Sequence, residues 1–127
     1  MKRQGIWLVA LLAALTACSD ETRPATAQTA ADRGRSLVAA NGCIACHALD
    51  GTRGIGPSWA GIYGTTRMLK GGGTVVVDDV YLRRAMLEPA AEVVDGFDNV
   101  MVPAAVNEAQ IADIIALIKE LGSPAGP

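Results

Sequence analysis

Residues 43–47 read Cys-Ile-Ala-Cys-His, and this run holds the only histidine of the chain. The pattern C-x-x-C-H is typical of the attachment site of a c-type haem. Two thiols have to reach the two vinyl groups of the macrocycle, and an imidazole has to meet the iron from the same side. One helical turn meets both requirements, because positions three and four apart share one face of a helix. The run therefore predicts one covalently attached haem c, held by Cys43 and Cys46, with His47 as an iron ligand.

Other chemistries remain open for the same three side chains. One alternative is that Cys43 and Cys46 form a small disulfide and that His47 merely follows them in the sequence. A thiol–disulfide protein would also use both cysteines, but the sequence lacks the alternation of strands and helices expected around such a motif. A zinc site is disfavoured further, because three ligands in a cramped spacing fall short of a four-coordinate structural site.

The start of the chain has the composition of an export signal. Lys2 and Arg3 are followed by an apolar stretch at 5–17, interrupted only by Thr16. Its end, Leu15-Thr16-Ala17-Cys18, resembles a bacterial lipobox, which implies cleavage before the cysteine and acylation of its thiol. An ordinary signal peptide with a stray cysteine is one alternative. A retained membrane anchor is another, although these thirteen residues fall short of the roughly twenty that span a bilayer.

These signals divide the chain into three parts. We expect a lipoprotein signal peptide at 1–17, a lipidated Cys18 with a flexible tether at 18–29, and one monohaem domain at 30–127. Residues 19–29 contain no large apolar side chain, as is typical of a flexible linker. The organisation predicts a lipoprotein anchored to a membrane on its periplasmic, or extracytoplasmic, side.

The charge balance limits the classes of partner. Loss of the signal leaves nine basic and thirteen acidic side chains, which disfavours nucleic acid. Four of the acids fall in a stretch without a base: Glu88, Glu92, Asp95 and Asp98. A redox partner with a basic docking face is one interpretation of this stretch, and an ordinary solvated surface is the other.

Hydrophobic periodicity and capping signals predict three helices, at about 29–41, 78–88 and 107–121. The third is the clearest, because Asn107 and Gln110 have the spacing of a capping box. In the first, Gly34 would permit close approach by another helix. Between the first and second helices, Val75–Val77 pairs with residues 66–69 across three glycines in the predicted hairpin. We therefore expect an all-α fold of three main helices around a covalent haem c, with a small β-hairpin at about 65–77.

The iron needs a sixth ligand unless that position stays open for chemistry. No second histidine exists, and a soft thioether favours the reduced iron. Met86 has core spacing within a predicted helix, and Met68 lies at the edge of the predicted hairpin. Met101 lies in a loop stiffened by Pro103, so we predict that Met101 is the second iron ligand. The alternative is a haem enzyme or gas sensor with an open sixth position.

Four blocks of sequence, taken in order, resemble the class I cytochromes c over nearly all of residues 30–121. The match is most similar to the cytochrome c domain fused to subunit II of caa3-type oxidases, and it rests on residues 41–47, 56–61 (Gly-Pro-Ser-Trp-Ala-Gly), 81–84 and 100–101. The resemblance implies that the first and last helices cross and help to close the haem pocket. It also implies that the Pro57 carbonyl accepts a hydrogen bond from the His47 ring nitrogen that does not bind iron, which would fix the tautomer.

The sequence also departs from that family at several points. It lacks the fused copper domain and has Cys18 near its start, so either a free-standing shuttle or a separately encoded subunit fits. Val102 stands where the family often has proline. Ala116-Leu117 stands where an aromatic residue often packs on the first helix.

Together these features predict a membrane-tethered monohaem electron carrier and not an enzyme. Single electrons would enter from a quinol-oxidising complex or a dehydrogenase and leave to a terminal oxidase, as the caa3 resemblance implies. Arg53, Trp59 and Lys70 are candidates for contacts with the haem propionates. Packing or surface roles are the simpler interpretation of all three.

Overall fold

The computed structural model of the chain describes residues 27–122. In chain order, the elements are α1 (Ala30–Ala40), a 3-10 turn (Cys43–Ala45), β1 (Thr66–Met68), β2 (Thr74–Val76), α2 (Asp79–Leu87) and α3 (Glu108–Glu120). The expected class, with three main helices and one small hairpin, is confirmed. No helix in this part of the chain has both the length and the apolar character needed to cross a bilayer. The predicted signal peptide, Cys18 and most of the tether lie outside the described residues.

Side-chain caps fix where α1 and α3 begin. The Thr29 hydroxyl accepts from the Asp32 amide, and the Asp32 carboxylate accepts from the Thr29 amide. Asn107 and Gln110 form the same reciprocal pair ahead of α3, as their spacing predicted, at 2.9 and 3.0 Å. These caps satisfy amide groups that the first helical turn leaves without a partner.

Helices α1 and α3 pack against each other through a small-residue contact. A Cβ atom on Gly34 would overlap the backbone carbonyl of Asp113 and would lie 3.0 Å from the Leu117 Cβ. Leu117 is completely buried at this contact, in the region where the resembling family often has an aromatic residue. Arg33 closes the edge of the contact with two hydrogen bonds to the Asp113 carboxylate, at 2.6 and 2.9 Å, and lowers its pKa.

The hairpin differs slightly from the prediction, because its first strand ends one residue earlier, at Met68, and its second strand is shifted by one residue, to 74–76. Its strands are antiparallel, and Thr66 pairs with Val76 while Met68 pairs with Thr74. Val77 leaves the ladder and is fully buried in the core, and its amide donates to the Thr65 carbonyl. The hairpin is therefore attached to the hydrophobic core through Val77, the residue that follows its second strand.

The contact at Gly34 predicts that Gly34→Ala destabilises the protein. The added methyl group overlaps backbone and cannot be accommodated by rotating a side chain. We expect the free energy of unfolding to fall by about 1–3 kcal/mol, as for other overpacked sites, despite the higher helix propensity of alanine. Guanidinium denaturation of the haem-loaded protein measures the change. Gly71→Ala is the matched control, because a Cβ at that position would have no atom within 4 Å; equal stability of the two variants would contradict the prediction.

Candidate functional site

A cavity of about 390 Å³ opens between α2, α3 and the long loops. Its wall is largely apolar and includes Leu82 and Met86 of α2, together with Ile114 and Ile118 of α3. This volume is typical of pockets for small molecules and cofactors. The same cavity is lined by all five residues predicted to hold the haem: Cys43, Cys46, His47, Pro57 and Met101.

The first wall of the site is the turn that follows α1. Gly42 ends that helix in the left-handed region, at φ 71°, which glycine adopts without steric cost. The chain then closes one tight turn, because the Cys43 carbonyl accepts from the amides of Cys46 and His47 at 3.2 and 3.0 Å. The helical turn expected from the C-x-x-C-H pattern is thus present, as a 3-10 turn.

The His47 imidazole is fixed by a hydrogen bond to the backbone. Its Nδ1 lies 2.8 Å from the Pro57 carbonyl oxygen, the contact that the resemblance implied. Because a carbonyl can only accept, Nδ1 must carry the proton, and Nε2 keeps the lone pair that a metal needs. Burial lowers the pKa of His47 and outweighs the opposite effect of the Pro57 bond, so the ring is neutral at pH 7.

Two further residues hold the His47 ring, and sequence reasoning did not assign either of them this role. The buried Trp59 ring stacks on it, with centroids 5.0 Å apart and planes 21° from parallel. A Cβ on Gly56 would lie 2.5 Å from the ring Cε1 and 2.8 Å from Nδ1. Only a residue without a side chain fits there. The block Gly-Pro-Ser-Trp was visible in the sequence, but its contact with the imidazole depends on how the loop folds back.

The three methionines among residues 27–122 differ in their relation to the cavity. Met68 lies on β1, is 64% exposed and does not line the cavity. Met86 lines it from within α2 and is buried. Met101 lines it from a segment without helix or strand and is 38% exposed. The geometry therefore brings two of these three methionines to the cavity that the haem motif lines, one on a helix and one on a loop.

The thiols and the possible metal ligands bear on the thiol–disulfide and zinc interpretations of the cysteine motif. Burial raises the pKa of the Cys43 thiol, whereas disulfide catalysts rely on a lowered thiol pKa. Among residues 27–122, no three His, Cys, Asp or Glu side chains gather in an arrangement that would hold a metal ion by themselves. These observations favour neither the thiol–disulfide interpretation nor the zinc interpretation.

Part of the acidic stretch is neutralised within the chain. Glu92, on the cavity wall, lies 2.5 Å from the Arg84 guanidinium, and Asp98 lies 3.4 Å from the Lys70 ammonium. Of the side chains considered for the propionates, Arg53 and Lys70 both contact residues 96–98, while Trp59 packs on His47.

The comparisons with known proteins agree with this geometry. A family model described as Cytochrome c matches residues 31–122, from the start of α1 to the end of α3. No curated protein matches the chain. The matched range contains the whole cavity and every residue named in its wall.

The contact between Gly56 and the imidazole predicts that Gly56→Ala disturbs the site. The methyl group would displace the His47 ring, lengthen its bond to Pro57 and destabilise the haem-loaded protein by about 1–3 kcal/mol. Guanidinium denaturation and the visible absorption spectrum measure these effects. Pro57→Ala is the matched control, because it keeps the carbonyl acceptor. An unaltered spectrum and unaltered stability in Gly56→Ala would contradict this account of the ring.

Proposed function

The chain belongs to the cytochrome c family, and from that premise we propose that it is a membrane-tethered monohaem carrier of single electrons in a respiratory chain. Members of the family carry covalently attached haem c and transfer electrons through it. The membrane tether, the respiratory role and the assignment of individual ligands are parts of the proposal.

One cavity brings together two thiols at the required spacing, a neutral imidazole and a thioether, and this carries the proposal. Cys43 and Cys46 would hold the macrocycle through thioether bonds, while His47 Nε2 and the Met101 sulfur would bind the iron. The bound haem would supply a one-electron iron couple. The apolar side chains of α2 and α3 would exclude water from it, and the Met101 thioether would favour the reduced state.

The cavity wall suits a carrier better than an enzyme. Its carboxylates are Glu92 and Asp98, and each is paired with a base of the chain. Burial raises the pKa of Tyr81, the phenol in the wall, and keeps it neutral. The alternative, a haem enzyme or gas sensor with an open sixth position, draws its support from the 38% exposure of Met101.

The proposed tether has a definite reach. Residues 18–29 could extend by at most about 40 Å, at about 3.3–3.6 Å per residue. That distance would let the domain move between partners in one membrane while Cys18 stays anchored by its acyl chains. We propose a quinol-oxidising complex or a dehydrogenase as the donor and a terminal oxidase as the acceptor, on the extracytoplasmic side.

Replacing each cavity methionine in turn distinguishes an electron carrier from a haem enzyme or gas sensor with an open sixth position. In the ferric protein, Met101→Leu should abolish the near-infrared band of an iron–thioether bond and should allow carbon monoxide to bind the reduced form. Met86→Leu is the matched control; it should keep the band and cost less than about 1.5 kcal/mol of stability, as a volume-conserving change does. Ready binding of carbon monoxide by the unmutated protein would support the open-site alternative.

The tether is tested by replacing its cysteine. Cys18→Ala should remove acylation, so the protein should leave the detergent phase in phase partitioning and its N-terminal peptide should lose the mass of the acyl groups. Ser19→Ala keeps the acylated cysteine and is the control. If Cys18 of the unmutated protein, isolated from cells that export it, carries no acyl group, the lipid anchor is disproved.

A further inference from the structure

Arg53 links the two segments that carry the proposed iron ligands. We propose that Arg53 is a positioning residue, which holds the loop of Met101 against the His47 side of the cavity and so protects the iron–thioether bond from external ligands. This inference rests on the proposed function, because it takes Met101 as a ligand.

The segment that contains Arg53 is bonded to His47 and to the turn that precedes it. The Gly56 amide donates to the Cys46 carbonyl at 2.9 Å, and the Pro57 carbonyl accepts from His47 Nδ1 at 2.8 Å. A Cβ on Gly54 would overlap the Cys46 carbonyl, so the two backbones lie in close contact. Residues 53–57, here called the proximal segment, are thereby fixed to the haem-attachment turn.

From this segment the Arg53 side chain reaches across to the other side of the cavity. Its Nη2 donates to the Gly96 carbonyl oxygen at 2.5 Å, and its Cζ lies 4.4 Å from the centre of the Phe97 ring. Gly96 has a φ of 82°, and a Cβ there would lie 3.9 Å from the Arg53 guanidinium. One side chain thus combines a charge-assisted hydrogen bond with a cation–π contact on two successive residues.

Those two residues lead directly into the loop of Met101, residues 98–103. Upstream, residues 93–95 are bonded to the hairpin, because Lys70 N donates to Val93 O and Asp95 N donates to Met68 O, both at 2.8 Å. Downstream, the Ala104 amide donates to the Met86 carbonyl of α2 at 2.8 Å. Between these anchors, Met101 and Val102 donate no backbone hydrogen bond to another described residue.

The position of the Met101 sulfur therefore depends on how firmly the loop is held at its ends. The Arg53 contacts are the side-chain connection from the proximal segment to the upstream end. Lys70 also touches this end, but its Nζ lies 3.4 Å from the Phe97 carbonyl and from Asp98 Oδ1, which are weaker contacts. Loss of the Arg53 contacts should free the loop to swing outward without unfolding the core.

Competition with imidazole tests this role in the full-length, haem-loaded protein. Imidazole is titrated into the ferric form, and loss of the near-infrared iron–thioether band is followed. Arg53→Gln should bind imidazole at least about tenfold more tightly, since an exposed cation–π contact and one charged hydrogen bond together are worth more than that factor. Arg53→Lys keeps the charge but lacks the planar guanidinium, so its imidazole affinity should lie between those of the unmutated protein and Arg53→Gln.

Arg35→Gln is the matched control, because it removes the same charge from an exposed ion pair with Glu120, away from the loop. Phe97→Leu keeps an apolar filler but removes the aromatic face. If Arg53 acts through that face, the effects of Arg53→Gln and Phe97→Leu should not add in a double-mutant cycle. If Arg53→Gln or Phe97→Leu matures poorly, the other of these two variants and Arg53→Lys still test the role of Arg53.

Imidazole affinity is the deciding readout, because a merely structural change would lower the unfolding midpoint without opening the iron to a ligand. Wild-type imidazole affinity in Arg53→Gln, or an equal change in Arg35→Gln, would overturn the role of Arg53. Persistence of the near-infrared band in Met101→Leu would instead overturn Met101 as the ligand, and with it the proposed coordination. The two failures are therefore distinguishable.

Discussion

The site depends on a single hydrogen bond between the His47 Nδ1 and the Pro57 carbonyl, 2.8 Å long. That bond selects the tautomer with a free Nε2, and burial keeps the ring neutral. The loop from Ala48 to Trp59 folds so that this carbonyl reaches the ring: Trp59 N donates to Ala48 O, and Gly56 N donates to Cys46 O, both at 2.9 Å. These two backbone bonds and the bond to the ring fix the fold of a loop that has no regular secondary structure.

Local signals made the helices predictable. Thr29 and Asn107 cap α1 and α3 through side chains three residues away, and such short-range chemistry is written directly in the sequence. The hairpin was predicted in place, but its first strand is one residue shorter than predicted and its second strand begins and ends one residue earlier. Val77 has the β-branched character of a strand residue, yet its burial in the core pulls it out of the ladder. Tertiary packing decided that boundary, and no local pattern reports it.

The contacts within the site were predictable only in part. The two thiols and the imidazole are adjacent in sequence, so their chemistry is readable as a motif. Gly56 and Trp59 act on His47 through the fold of a loop, and Arg53 meets Gly96 across 43 positions. Such contacts follow no periodic pattern and no fixed spacing in the sequence. They become visible only once the loops are placed in space.

The proposed choice of Met101 over Met86 as iron ligand is supported by how the segments of these two methionines are held. Met86 lies in a helix whose carbonyl at that residue accepts from Ala104, so α2 and the loop of Met101 are joined where both approach the cavity. A helical side chain buried among core residues cannot move toward an iron without disturbing α2. A loop side chain between two anchored ends can close onto a metal with little cost in packing. In the proposed coordination, the loop would bring the partly exposed Met101 to the iron, and the anchors of that loop at Gly96 and Ala104 would set how firmly it stays there.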